Sequence, residues 1–119
     1  MDKLVDVKLL DIDKLTVNGH IYSKEVVEKA LAEAKAMIDA NNMSVVDLNG
    51  NVCGSVLDTR IDGDKLVADV VITTDDAKRK LKESGALRFY SRGTGELDGN
   101  KVINYKLDGV GVEINQGGK

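Results

Sequence analysis

The residues best suited to chemistry lie in the run Leu87-Arg88-Phe89-Tyr90-Ser91-Arg92-Gly93-Thr94-Gly95, which holds the only Phe and one of the three Tyr. In an extended segment Leu87, Phe89 and Ser91 share one face, and Arg88, Tyr90 and Arg92 the other. Gly93 and Gly95 allow the backbone to bend sharply, or to approach something closely, just after the Ser. A Ser delivered in this way is a candidate nucleophile, but the reaction needs a base to take its proton and a group to orient that base. The only His is His20, within Asn18-Gly19-His20-Ile21-Tyr22. It is a candidate base, because catalytic groups are assembled from distant sequence; the plainer reading is a His beside a turn. Lys80 or Lys82 could act as a base only if buried, and helix lysines are ordinarily solvated. Without a base, Ser91 is a polar strand residue.

Other chemistries have less support. Asp58, Asp62, Asp64 and Asp69 straddle a hairpin and alternate in face, without the spacing or Gly placement of a calcium loop, so they read as turn-forming acids. Gly93-x-Gly95 lacks the third Gly and the following helix of a dinucleotide loop. One His and one Cys cannot build a zinc site within one chain. Cys53 reads as a small core residue in a strand. No metal or cofactor is expected.

The composition narrows the class. A chain of 119 residues suits one modest domain, taken here as residues 1–119. Hydrophobic residues make up 42% and charged ones 31%, as in ordinary globular proteins. Aromatics are only 3%, so the core must be built from Val, Leu, Ile and Ala. The net charge of −3 arises from interleaved lysines and acids, and no basic stripe points to nucleic acid. A lone Cys excludes an internal disulfide and fits a reducing compartment. No apolar run approaches the roughly 20 residues of a membrane span, and the start lacks a signal-peptide core, so a cytoplasmic-type domain is expected.

The elements that must position Ser91 follow in order. Residues 3–12 read as a strand, Asn18-Gly19 as a turn and His20-Ile21-Tyr22 as a short extended piece. Ser23 suits a helix N-cap, with Glu25 in the first turn. Val26, Val27, Ala30, Leu31, Ala34, Met37 and Ile38 recur at helical spacing to about Ala40, and Asn41-Asn42 closes the helix. Residues 43–48, 51–61 and 64–73 read as strands joined at Asn49-Gly50 and Asp62-Gly63, the third of them central. Thr73 or Thr74 caps a short helix, Asp75 to Glu83, with Gly85 just past it. The Ser91 strand comes next, then a turn at Asp98-Gly99 and a strand from Lys101 to Leu107. Asp108-Gly109 reads as a further turn before a last strand through Val110, Val112 and Ile114, and Gln116–Lys119 as a frayed tail.

The order of these segments resembles a known family. Asn18-Gly19-His20-Ile21-Tyr22-Ser23-Lys24-Glu25-Val26 is similar to the Asn-Gly-Arg-Ile-Tyr-Pro-Lys-Glu-Val opening of prohead (capsid maturation) proteases of tailed bacteriophages. Ile61-Asp62-Gly63-Asp64 resembles their Ile-Asp-Gly-Asp-like hairpin. Tyr90-Ser91-Arg92-Gly93-Thr94-Gly95 resembles their Ser-Ser-Arg-Gly-x-Gly strand, and Leu107 to Asn115 their closing strand. The likeness covers about residues 17–115, and the shared order and spacing are more specific than any one motif. It implies an α+β fold: a β-rich, barrel-like single domain of the herpesvirus assemblin type, with one long and one short helix. It also places the family nucleophile on Ser91.

The resemblance breaks at the base. The family carries its catalytic His in a Gly-x-x-Asp-His-Pro-type segment between the long helix and the hairpin, and residues 41–52 of this chain contain no His. His20 stands where the family more often has Arg, and so does not inherit the role. The Asp-Pro ending of the last strand is also absent. The expectation is a retained fold without its triad, catalytic residues none, Ser91 being a vestigial nucleophile. Such a protein would be a capsid-binding phage structural protein, a decoration or cement subunit or an assembly factor. Its partner would be the major capsid protein, with self-association as a further option, and its place the virion, assembled in the host cytoplasm. Strand edges near 43–60 or the 88–98 segment would make the contacts. The alternative is an active serine endopeptidase for capsid maturation, with Ser91 as nucleophile and His20 as an unusual base. A third is a small β-rich binding domain unrelated to phage.

Overall fold

The computed structural model describes residues 3–16 and 19–114, with only the backbone of Leu87. Asn18 of the expected Asn18-Gly19 turn, Asn115 and the tail Gln116–Lys119 lie outside the described residues. The elements in chain order are β1 (Lys3–Asp11), β2 (Ile21–Tyr22), α1 (Lys24–Asp39), β3 (Ser44–Val46), β4 (Val52–Asp62), β5 (Lys65–Ile72), α2 (Asp75–Ser84), β6 (Ala86–Asp98) and β7 (Lys101–Ile114).

Helix α1 forms where the apolar spacing places it. The Ser23 side chain accepts from the Val26 amide at 3.2 Å, satisfying one of the free donors at the helix start. At the other end Asn41 takes φ +60, which Asn tolerates better than most residues. The Asn41 amide then donates to the Ile38 carbonyl and the Asn42 amide to that of Met37, both at 2.9 Å, so the last carbonyls are also satisfied. Val27, Ala30 and Ala34 bury the inner face of α1 against β7 and β4. Helix α2 begins after Thr74, whose side chain makes no capping bond; its acids Asp75 and Asp76 complement the dipole.

The strands of the described residues form one sheet in the order β1-β5-β4-β3-β7-β2, with β6 on the other side of β7. The hairpins turn where Gly and Asn or Asp allow it. Gly50, Gly63 and Gly99 all have positive φ, and the Asp47 carboxylate accepts from the amides of Asn49 and Asn51 at 2.9 and 3.0 Å. Strand β5 lies between β1 and β4, and is therefore internal, with Leu66, Val67, Ala68, Val70 and Ile72 buried. β2 and β3 run parallel to β7 at its two ends, Ile21 beside Lys101 and Ser44 beside Gly109. The sheet curls into a half-barrel around a core of Val, Leu, Ile and Ala with Met43, Tyr22 and Tyr105. Cys53 is in this core, 3% exposed, and burial pushes its thiol pKa up.

One expected boundary is corrected. Asp108-Gly109 does not turn between two strands; β7 continues through it to Ile114. Arg92 pairs with Gly109 and Gly93 with Leu107, so Asp108 is an extra residue in the ladder, a β-bulge. Strand β6 pairs with β7 on both sides of this point. The ladder outweighs the local turn preference and absorbs the extra residue as a bulge.

Candidate functional site

A cleft of about 870 Å³ opens between β1 and β6, the two strands at the ends of the curled sheet. Lys8 to Asp11 form one wall and Arg88 to Thr94 the other, with Tyr22, Tyr105, Ser44, Val46 and Asp108 also lining it. Ser91 stands in the β6 wall, partly exposed. Alternation along β6 is what puts Ser91 on the inner side while Arg88 and Tyr90 point the other way. On that other face the Arg88 guanidinium lies 4.6 Å from the centre of the Tyr90 ring and its Nε is 3.0 Å from Glu113. The Tyr90 ring in turn fills the space in front of Gly111.

Gly93 and Gly95 do not bend the chain; both sit within continuous β6. Their role is close approach. Tyr105 is opposite Gly95 in the ladder, and its ring runs along β6 toward Ser91. A Cβ on Gly95 would meet the Asn104 carbonyl oxygen first and then the Tyr105 Cδ1 atom at 3.3 Å, and one on Gly93 the Lys106 carbonyl oxygen first and then the Tyr105 phenolic oxygen at 2.8 Å. The two glycines are thus a trough for the Tyr105 ring, with Ser91 at its end.

The Tyr105 phenol lies beside Gly93, two residues along β6 from Ser91, and both Tyr105 and Ser91 line the cleft. Burial, the largest cause, raises the Tyr105 pKa to about 12, against a smaller lowering by its hydrogen-bonding contact with Ser91. The Tyr22 ring packs edge-on against Tyr105, centroids 5.2 Å apart at 82°, and burial raises its pKa too. A general base must be unprotonated near working pH. Tyr105 holds its proton above that range and so does not serve as the base.

The other candidates are placed elsewhere. His20 does not line the cleft; its backbone amide donates to Thr16 Oγ1 at 3.3 Å and its carbonyl accepts from the Thr16 amide at 2.8 Å. Lys80 and Lys82 lie on α2, outside the cleft, Lys80 being 3.1 Å from Asp76. The four aspartates of the β4–β5 hairpin do not converge on one another. Asp58 and Asp69 flank Arg60 at 3.4 and 3.1 Å, and Asp6 also contacts it. Asp64 instead pairs with Lys14 at 2.8 Å. Among the described residues no cluster of His, Cys, Asp and Glu has the geometry to hold a metal ion. None of their helices is long and apolar enough to cross a membrane.

Sequence reasoning missed Tyr105, the residue nearest in chemistry to Ser91. The available signal was the Asp98-Gly99 hairpin, which sets β6 against β7, but the bulges in β7 shift the register that a simple count would give.

No protein-family profile matches the chain. No curated protein matches it either. Among solved structures it is similar to the bacteriophage T4 capsid assembly protease, gp21. The TM-score is 0.77 at 14% identity, over 97% of this chain and 92% of that one. The fold is therefore prohead-protease-like, as the order of motifs implied.

Proposed function

We propose that this chain is a catalytically inactive prohead-protease-like protein that binds the phage capsid, as a decoration or cement subunit or as an assembly factor. The observation that carries the reading is geometric: Ser91 stands in the wall of the cleft, and His20, the chain's one His, does not line it. Loss of the general base costs a serine hydrolase several orders of magnitude in rate even with the nucleophile in place. A chain that keeps this fold without a His lining the cleft is best understood through its surface. The similarity to a capsid assembly protease over 97% of the chain supports the phage capsid as the setting and its major capsid protein as the partner. The protein would then reside in the virion after assembly in the host cytoplasm.

The test is co-sedimentation with precursor and mature shells, together with fluorophosphonate labelling. Binding in fixed proportion to coat subunits, unchanged by Ser91→Ala, is the expected result. Labelling that disappears in Ser91→Ala, with cleavage of capsid components, would overturn it.

That second outcome is the other reading, an active serine endopeptidase with Ser91 as nucleophile. Its support is the position of Ser91 in the wall of a cleft of about 870 Å³. Its base would be His20, which does not line the cleft and would have to reach Ser91 by a rearrangement.

A further inference from the structure

Asn-Gly occurs twice in the chain, at Asn18-Gly19 and at Asn49-Gly50. The second pair lies wholly within the described residues, in the loop that joins β3 to β4, and both of its residues are exposed. This pairing carries a reaction of its own. The backbone nitrogen of the residue after an Asn can lose its proton and attack the side-chain carboxamide carbon. A C–N bond forms, ammonia leaves, and the resulting cyclic succinimide is opened by water to aspartate or isoaspartate. Gly is the most permissive following residue, because it has no side chain to obstruct the attack. A Cβ on Gly50 would meet nothing within 4 Å, so water has access to the loop.

One residue holds this loop shut. The Asp47 carbonyl accepts from the Gly50 amide, and the Asp47 amide donates to the Asn51 carbonyl, both at 3.0 Å. The Asp47 carboxylate accepts from the amides of Asn49 and Asn51 at 2.9 and 3.0 Å. The nitrogen that would attack is therefore committed to the Asp47 carbonyl, and the amides on either side of it are pinned. A carboxylate bound to those flanking amides also disfavours the anion that Gly50 must form before attack. Neither restraint survives opening of the loop.

We propose that Asn49 is a gated deamidation site, with Asp47 as the gate. Asn49 stays an amide while the β3–β4 loop is folded and converts to aspartate or isoaspartate when the loop opens. The reaction consumes one water, releases one ammonia and needs no enzyme or cofactor. Aspartate at this position adds a carboxylate two residues from that of Asp47. Isoaspartate lengthens the backbone by one carbon between Val46 and Val52, which face each other in the ladder. β3 is only three residues long and links β4 to β7, so the modified loop loosens that junction.

The experiment is incubation of the full chain at mildly alkaline pH, folded in buffer and unfolded in concentrated urea. Fragment mass spectrometry maps the amide-to-acid change to Asn49 and separates it from Asn18. Conversion of Asn49 is expected to be at least about tenfold slower in the folded protein, where the population of the open loop sets the rate. Asp47→Ala should remove most of that protection. Asp47→Asn, which keeps the side-chain oxygen as an acceptor, should retain part of it. Circular dichroism checks that each variant is folded, and the comparison of the parent in buffer and in urea stands without them. Equal rates for the folded and unfolded parent, or a folded Asp47→Ala protein whose Asn49 lasts as long as the parent's, would overturn the proposal.

Discussion

The Tyr105 phenol stands directly against Gly93, where a Cβ would lie 2.8 Å from its oxygen and would also meet the Lys106 carbonyl. This relationship explains an Arg-Gly-x-Gly run that makes no turn. Gly93→Ala is expected to destabilise the protein by about 1–3 kcal/mol, the usual cost of overpacking. That sign is opposite to the gain expected for Gly→Ala at an unconstrained site. Urea denaturation of the two proteins measures it, and an unchanged midpoint would refute the trough.

A similar contact lies on the other face. The Tyr90 ring occupies the space a Cβ on Gly111 would need, and here the three nearest atoms all belong to that side chain. Gly111→Ala should cost about 1–3 kcal/mol, and much less in a Tyr90→Ala background. Thermal melts of the four proteins of this double-mutant cycle give the coupling. Additive losses would show that the ring is not what excludes the methyl group.

Alkaline pH should expose the buried phenol. The folded Tyr105 pKa lies at about 12, above its ordinary 10.0, chiefly because burial disfavours the phenolate. The folded state therefore holds this proton more tightly than the unfolded state. The associated stability is fully present below pH 10.0 and is lost as pH rises through about 12. Two pH units correspond to about 2.7 kcal/mol, an upper figure for one group. Tyr105→Phe should flatten the fall in stability between these limits, read as denaturation midpoints at successive pH values. Identical slopes in the two proteins would contradict this assignment.

Arg60 draws three carboxylates to one guanidinium. It meets Asp6, Asp58 and Asp69, and the Asp69 side chain is only 17% exposed. Arg60→Met leaves three like charges without their counterion, at an expected cost of about 1 kcal/mol at low salt, since Asp6 and Asp58 are largely exposed. High salt should recover part of the loss, since screening lengths fall to about 3 Å at 1 M. Asp69→Asn in the same background should recover part of it at any salt. A loss independent of salt would point to packing of the Arg60 stem instead.

Several features of the protein were determined locally and could be read from the chain. Ser23 and the apolar spacing from Val26 to Ile38 specify α1 because capping and a 3.6-residue period act within a few turns. Asn49-Gly50, Asp62-Gly63 and Asp98-Gly99 specify hairpins because Gly accepts the positive φ at each turn. The order of these motifs sufficed to imply the prohead-protease-like fold. Only the tertiary structure decided that Asp108-Gly109 would stay within a strand, since pairing along β6 outweighs a two-residue preference. It alone decided that Gly93 and Gly95 would hold a ring from the neighbouring strand, that Tyr105 would line the cleft with Ser91, and that His20 would lie off the cleft. These are contacts between residues far apart in sequence or displaced by bulges. Their geometry depends on how the whole sheet curls, which no local period or turn preference encodes.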